Sequence, residues 1–116
     1  MASVANQAMK SDKETFNLFP GKPKRDFVYI DDVVNANIVA MTSEVSKGIF
    51  DVGSGVQNSF EKVLQVLGKK FSYHDRSLIP EGYQYSTLAN RNNFLPDWVP
   101  EYDLERGLKK YKKVIN

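Results

Sequence analysis

An alternation of strand-like and helix-like segments constrains the fold of this chain more than any other feature. The run "DFVYI", residues 26 to 30, carries β-forming side chains that are apolar on both faces, which predicts an internal strand. A helix is predicted to follow at once, with Asp31 or Asp32 as its N-cap. Its apolar side chains are spaced by three and four residues as one stripe, at Val34, Ile38, Met41 and Val45.

The same alternation continues along the rest of the chain. Further strands are expected at residues 16 to 19, 48 to 55 and 70 to 74, and further helices at 2 to 12, from 59 to 67 and from 103. The helix before Gly68 should begin at Asn58 or Ser59, and residues 78 to 100 should form a packed irregular loop with Trp98 as an anchor. The pattern predicts one α/β domain over residues 1–116, a small mixed sheet with flanking helices.

Composition excludes several classes of function. The chain has no cysteine and one histidine, so no disulfide, thiolate nucleophile or metal site is expected. No apolar run approaches the ~20 residues of a membrane helix, and we expect a cytoplasmic protein that binds no membrane. The basic residues form two short clusters, residues 22 to 25 and 109 to 113, and the second is interpreted as a solvated helix end. Nucleic acid is therefore not an expected partner.

The loop "GSGVQNS", residues 53 to 59, resembles part of a dinucleotide-binding fingerprint, because it precedes a helix and Asp75 follows about 20 residues later. Asn58 stands where the third glycine would allow close packing between helix and strand. The favoured interpretation is a tight turn, and no cofactor-binding residue is assigned to it.

Other candidate ligand contacts lie around Arg25. Its guanidinium is either a surface charge or a forked donor for phosphate, with Gly21 allowing close backbone approach. Tyr83 and Tyr85 either hydrogen-bond a sugar or stack on a ring, or they pack their loop onto the core. His74 is interpreted as a structural or surface histidine, since no nucleophile partner accompanies it.

Three segments, in this order, carry a family resemblance: "KRDFVYIDDVVNANIVAM", "GIFDVGSGVQNSF" and "DLERGLKKY". They are similar to the C-terminal part of extended short-chain dehydrogenase/reductases that act on nucleotide sugars. Within that family, "MASVANQ", "LFPGK" and "GYQYSTLAN" resemble the ADP-L-glycero-D-manno-heptose 6-epimerases. The resemblance implies about the last third of such an enzyme, without most of the Rossmann domain.

The resemblance also implies what this chain lacks. The family's glycine-rich NADP site and its Tyr-x-x-x-Lys catalytic pair belong to the preceding domain, and no tyrosine of this chain has a lysine four residues later. NADP is therefore expected in the complete enzyme, where it oxidises the sugar transiently and returns the hydride, and not on this chain alone. We expect no catalytic residue here and no activity from the chain by itself.

Substrate contact is what the resemblance assigns to this chain, with ADP-heptose as the nucleotide sugar. The residues implied as substrate-binding are Gln7, Phe19, Pro20, Gly21, Lys22, Arg25 and Tyr83. Docking with a Rossmann-domain half, or self-association, is expected for the surfaces that such a half would cover. Two alternatives stay open: the same part of another nucleotide-sugar epimerase or dehydratase, and a non-catalytic binding module.

Overall fold

The computed structural model describes residues 1–10, 15–18, 20–44, 47–73, 75 and 79–115. These residues contain the helices α1 (Ala2–Lys10), α2 (Ile30–Thr42), α3 (Phe60–Leu67) and α4 (Leu104–Ile115). The strands are β1 (Thr15–Leu18), β2 (Lys24–Arg25), β3 (Asn58–Ser59) and β4 (Lys70–Tyr73), and one 3-10 turn spans Arg91–Asn93. The predicted α/β class is confirmed.

The strands form two separate two-stranded sheets. Strand β1 pairs with β4 in parallel, from Thr15 opposite Lys70 to Leu18 opposite Tyr73. Strand β2 pairs with β3 in antiparallel fashion, with Arg25 opposite Asn58. The expected mixture of parallel and antiparallel pairing is therefore present, although the two kinds of pair belong to different sheets.

The larger apolar core lies where α1, α3 and α4 meet. Val63, Leu64 and Leu108 are fully buried there, and the small residues Ala5 and Ala8 let α1 approach closely. Helix α3 behaves as its sequence predicts. The Ser59 hydroxyl accepts a hydrogen bond from the backbone N–H of Lys62 at 3.1 Å, and Gly68 ends the helix with a φ of 74°.

A smaller apolar cluster forms where the long loop packs on α2. Ala36 of α2 contacts Leu95 and Trp98, and the rings of Phe94 and Trp98 meet edge to face at 5.0 Å. Trp98 is 2% exposed, which confirms its interpretation as a loop anchor.

Helix α2 turns a different face to the protein from the one its sequence predicts. The stripe expected in the core is exposed at Val34 (50%), Ile38 (53%) and Met41 (85%), while Val45 lies outside the described residues. The buried face carries Asp32 and Ala36 instead. The expected aspartate cap is also wrong: the N-cap is Tyr29, which makes no side-chain cap bond.

Two of the predicted strands are wrong in their extent. In the described structure, residues 26 to 29 and 48 to 55 belong to no strand. Phe27 and Tyr29 are buried all the same. Backbone pairing of this segment ends at Arg25, and the Asp26 carboxylate then accepts hydrogen bonds from the backbone N–H groups of two loops, at Ser54 and Ala89.

The molecule is flatter than a self-contained domain of its size. Its radius of gyration is 16.1 Å and its shortest dimension 16 Å, whereas a compact chain of this length has a radius of gyration of about 13 Å. Its accessible surface is 7739 Å², against about 6400 Å² expected for a compact protein of this mass. The chain therefore exposes more surface in total than a compact protein of its mass.

No helix in the described part of the chain has the length and apolar character needed to cross a bilayer. Among the same residues, no three histidine, cysteine, aspartate or glutamate side chains are grouped as metal ligands would be.

Candidate ligand-binding site

Arg25 lies between two aromatic rings. Its guanidinium carbon is 5.5 Å from the centre of the Phe60 ring and 5.4 Å from the centre of the Tyr83 ring. Its Nη1 donates to the carbonyl oxygen of Lys24 at 2.9 Å. Aromatic faces attract a cation and fix the plane of the guanidinium, so the half-buried Arg25 is held in place rather than spread over the surface.

The glycine turn predicted as a ligand contact lies beside the same rings. Gly21 has a φ of 94°, and a Cβ atom there would lie 2.6 Å from Cε1 of Tyr85, so only glycine fits. The rings of Tyr85 and Tyr83 meet edge to face at 5.1 Å. The backbone N–H of Lys24 donates to the carbonyl oxygen of Tyr85 at 2.8 Å, which fixes the tyrosine loop against β2.

The other residues predicted to bind the substrate are Gln7, Phe19, Pro20 and Lys22. Lys22 is exposed with a positive φ of 51°, and it lines a small recess together with Phe60. Pro20 is half-buried in the same turn, and Phe19 lies outside the described residues. Gln7 is on the exposed side of α1, so its contact with a ligand stays a prediction. We call Gly21, Lys22, Arg25, Phe60, Tyr83 and Tyr85 the Arg25 cluster.

The Asp26 carboxylate, next to Arg25 in sequence, fixes the end of β2 by hydrogen bonds to two loops. Its Oδ1 accepts from the backbone N–H of Ser54 at 2.8 Å, and its Oδ2 accepts from Gly55 at 2.9 Å and from Ala89 at 3.1 Å. One carboxylate thus joins the end of β2 to two loops that are distant in sequence. Charge-assisted hydrogen bonds of this kind are stronger than neutral ones and hold Arg25 in a fixed register with β3.

The glycine loop at residues 53 to 55 does not fit a dinucleotide. Its amide groups at Ser54 and Gly55 already donate to Asp26, so they do not point at an incoming pyrophosphate. A Cβ at Gly53 would lie 2.7 Å from Oδ2 of Asp26, which explains the need for glycine there. Ser54 and Gly55 thus hold this loop against Asp26, whereas the strand expected before it is absent from residues 48 to 55 of the described structure.

A cleft of about 550 Å³ opens on the other side of β3. Its wall combines aromatic side chains with polar ones, among them Asn58, Arg91, Trp98, Glu101 and Tyr102. Arg91 is itself held by the loop, since its Nε donates to the carbonyl oxygen of Gly55 at 3.3 Å. We call this space the Trp98 cleft.

Lys110 contacts Tyr102, a residue in the wall of the Trp98 cleft. Its Nζ is 2.7 Å from Oδ2 of Asp31 and 2.7 Å from the hydroxyl of Tyr102. These two hydrogen bonds raise the pKa of Lys110, and burial raises the pKa of the neighbouring Tyr29 hydroxyl. Lys110 is exposed, as a solvated helix end predicts, and its ion pair with Asp31 joins α4 to the start of α2.

Asp32 of α2 is buried beneath the segment that carries Glu101 and Tyr102. Its two oxygens accept from the backbone N–H groups of Glu101 at 2.8 Å and Tyr102 at 3.0 Å. The side chain is 2% exposed, and it fixes the segment that forms one wall of the cleft.

Sequence reasoning missed Phe60, Asp26 and Glu101. Phe60 is the first residue of α3, and the pairing of β2 with the preceding strand β3 brings its ring to Arg25. An acidic residue directly after a basic patch, at the start of a buried run, is a signal that could have marked Asp26. Glu101 has no such signal, because its position depends on the fold of the long loop.

Comparison with protein families matches residues 1–53 to the model described as "NAD dependent epimerase/dehydratase family". Among curated proteins, the ADP-L-glycero-D-manno-heptose-6-epimerase of Fusobacterium nucleatum is 33% identical over 88% of this chain and 35% of its own length. The dTDP-4-dehydro-6-deoxyglucose reductase of Escherichia coli is 29% identical over 79% of this chain and 31% of its own. The chain spans about a third of the length of the curated relatives it matches.

Solved structures agree with the sequence comparison. The ADP-L-glycero-D-manno-heptose-6-epimerase of Helicobacter pylori superposes with a TM-score of 0.74 at 30% identity, over 98% of this chain and 36% of that one. A UDP-glucuronic acid 4-epimerase from Bacillus cereus has a TM-score of 0.72 at 23% identity, over 97% and 39% of the two chains, and shows a shared fold.

Proposed function

Because this chain belongs to the NAD-dependent epimerase/dehydratase family, we propose that it is the nucleotide-sugar-binding part of an ADP-heptose 6-epimerase. In this proposal residues 1–116 form one substrate-binding domain. Its role in this proposal is to bind and orient the substrate, as its similarity to the C-terminal part of such epimerases suggests. NADP and the redox step belong to the complete enzyme, whose activity requires residues beyond these.

The observation that carries the proposal is Arg25 held between Phe60 and Tyr83. A planar guanidinium presents a fork of N–H donors that matches the oxygens of a diphosphate. Among the described contacts, its hydrogen bonding uses only the carbonyl of Lys24. The neighbouring Gly21 turn lets the ligand approach the backbone closely, and the exposed Lys22 adds positive charge.

The choice of ADP-heptose is supported by the two heptose epimerases among the relatives, at 33% and 30% identity. The similarity to a dTDP-sugar reductase, at 29% identity, favours a second candidate, the same part of an enzyme acting on another nucleotide sugar. The two candidates differ in the nucleotide that the chain should prefer.

The exposed face of α2 supports a docking partner for this chain. Ile38 and Met41 would not be left in water by a domain that functions alone, because contiguous apolar patches mark interaction sites. We propose that this face docks with a Rossmann-domain half, or with a second copy of the chain when that half is absent.

Titration calorimetry with ADP-heptose and the variant Arg25→Ala tests the diphosphate assignment. Loss of one charge-assisted hydrogen bond should weaken binding by about 1.5 to 3 kcal/mol, or roughly 10- to 150-fold. Lys112→Ala, which removes an exposed charge from α4, serves as the matched control and should leave the affinity unchanged.

Two outcomes would contradict the proposal. If Arg25→Ala and Lys112→Ala bind ADP-heptose equally well, Arg25 is a surface charge. If the chain binds UDP- or dTDP-sugars more tightly than ADP-heptose, the second candidate replaces the first.

A further inference from the structure

Two side chains from different parts of the chain hold the backbone of Ser54 and Gly55. The backbone N–H groups of these residues donate to the Asp26 carboxylate, at 2.8 Å from Ser54 and 2.9 Å from Gly55. Their carbonyl oxygens accept from the Arg91 guanidinium, whose Nη2 is 3.4 Å from the oxygen of Ser54 and whose Nε is 3.3 Å from that of Gly55. The donors and the acceptors of this short segment are thus bound separately, by one anion and one cation.

Gly55 allows Arg91 to lie directly against the backbone. Its φ is 74°, and a Cβ atom there would lie 2.5 Å from Cγ of Arg91. Any other residue at this position would displace the arginine side chain or strain the turn. This close approach distinguishes Arg91 from an arginine that extends into solvent.

The turn that carries Arg91 is itself fixed by Asp51. The Asp51 carboxylate accepts from the backbone N–H of Asn90 at 2.8 Å and from the side-chain amide of Asn93 at 3.1 Å, and the backbone N–H of Asp51 donates to the carbonyl oxygen of Asn93 at 3.0 Å. The hydrogen bond from Asn90, followed by the one from Asn93, lowers the pKa of the Asp51 carboxyl and so favours its charged form. Residues on both sides of Arg91 are therefore anchored to the chain just before Ser54.

A displacement of Ser54 and Gly55 would reach Arg25 by two routes. Asp26 follows Arg25 directly in sequence, so loss of its hydrogen bonds to the loop releases the end of β2. Asn58 lies three residues after Gly55 and is paired with Arg25 in the β2–β3 ladder. The Arg25 guanidinium keeps its place between two aromatic rings only while both strands keep this register.

We propose that Arg91 is a positioning residue for Arg25. By holding the carbonyl oxygens of Ser54 and Gly55, it keeps Asp26 and β3 in the arrangement in which the Arg25 guanidinium presents its fork of donors to a diphosphate. This inference rests on the proposed function and adds to it a residue outside the Arg25 cluster that sets the affinity of that cluster. Arg91 acts through the loop and does not itself contact the diphosphate.

The variant Arg91→Met removes the guanidinium donors and keeps most of the length of the side chain. Because Arg91 is exposed, the fold should be retained. Arg106→Met is the matched control. Arg106 is also an exposed arginine that donates to a backbone carbonyl, from Nη1 to the oxygen of Glu101 at 3.0 Å, but it holds residue 101 rather than the loop beside Asp26.

The first measurement follows Arg25 in the chain without ligand. Aromatic rings shift the resonance of a nearby proton, so the side-chain Nε–H signal of Arg25 in a proton–nitrogen correlation NMR spectrum should be displaced from the signals of exposed arginines. Its loss in Arg25→Ala identifies it. Arg91→Met should move this signal towards those of exposed arginines, and Arg106→Met should leave it in place. If Arg91 only stabilised the fold, the folded molecules would keep the same signal.

The second measurement is the affinity for ADP-heptose by titration calorimetry. Arg91→Met should weaken binding about three- to tenfold, the effect of one lost hydrogen bond, which is less than the effect of Arg25→Ala. Arg106→Met should leave the affinity unchanged. In a chain that already carries Asp26→Asn, Arg91→Met should weaken binding little further, because the contact through which Arg91 acts is already weakened.

The outcomes distinguish this inference from the proposed function. If Arg91→Met leaves the Arg25 signal in place, or if Arg106→Met moves it equally, Arg91 does not position Arg25, whatever the chain binds. If Arg25→Ala weakens binding and Arg91→Met does not, or if Arg91→Met and Asp26→Asn act additively, only this inference fails. If Arg25→Ala binds ADP-heptose as tightly as the wild-type chain, the proposed function fails and the inference fails with it.

Discussion

Helices α2 and α3 carry the same kind of apolar stripe, yet the protein buries only one of them. Val63, Leu64 and Leu67 of α3 pack against α1 and α4. Val34 and Ile38 of α2 are exposed by half or more, while the opposite side of that helix packs on the long loop.

This difference shows that periodicity identifies a helix without identifying what covers it. Spacing of three and four residues brings apolar side chains to one face in both helices. In α3 the covering surface is provided by helices of the same chain. In α2 it is not provided by the described residues, and this is the behaviour expected of a face that meets another part of a larger assembly.

The largest change in the free energy of unfolding should come from truncating a buried side chain of α3. Leu64→Ala removes a fully buried side chain and should lower the free energy of unfolding by about 2 to 5 kcal/mol, because it leaves a cavity. Ile38→Ala on α2 should change it by less than about 0.5 kcal/mol. Urea denaturation followed by circular dichroism measures both, and equal losses would show that the two stripes do not differ.

An intermediate loss of stability is expected from replacing Asp32, the buried carboxylate of α2. Asp32→Asn replaces one carboxylate oxygen by an amide nitrogen that cannot accept from the backbone N–H of Glu101 or Tyr102, and should cost about 1 to 3 kcal/mol. The control Asp31→Asn breaks an exposed ion pair with Lys110 and should cost less than about 1 kcal/mol. A cost at Asp32 no greater than at Asp31 would mean that this anchor does not stabilise the fold.

The smallest effect on stability should come with a clear effect on assembly. Ile38→Glu places a charge on the exposed stripe, so it should change the free energy of unfolding by less than about 0.5 kcal/mol. It should nevertheless weaken self-association, which sedimentation velocity at several concentrations would detect. Gln65→Glu adds the same charge at an exposed position of α3 and should leave association unchanged. A wild-type chain that stays monomeric at all concentrations would contradict this prediction.

The helices were predictable from the sequence because their signals are local. Ser59 and Gly68 mark both ends of α3 by the hydrogen bonds and the φ angle that a helix end requires. The run "DFVYI" was predicted as a strand because its side chains are buried, as those of Phe27 and Tyr29 are, but burial does not indicate a strand partner. Partners are set by long-range contacts.

The residues of the candidate site also fall into two groups, those with a local sequence signal and those placed by long-range contacts. Gly21 and Arg25 could be selected from residue type and spacing, since a turn and a forked cation have recognisable local signatures. Phe60 and Glu101 could not, because the first reaches Arg25 only through the pairing of β2 with β3 and the second through the course of a long loop. Asp32 looked like a helix cap because that is what an aspartate beside a helix start usually does.

The hydrogen bonds of Asp26 also bear on the order in which the chain folds. They join it to residues 28, 29 and 63 positions further along the sequence, so none can form before large loops have closed. Helix α3 needs only its neighbours in sequence to begin. The binding surface around Arg25 should therefore be assembled late in folding, after the helical core, in a single step that brings both loops to one carboxylate.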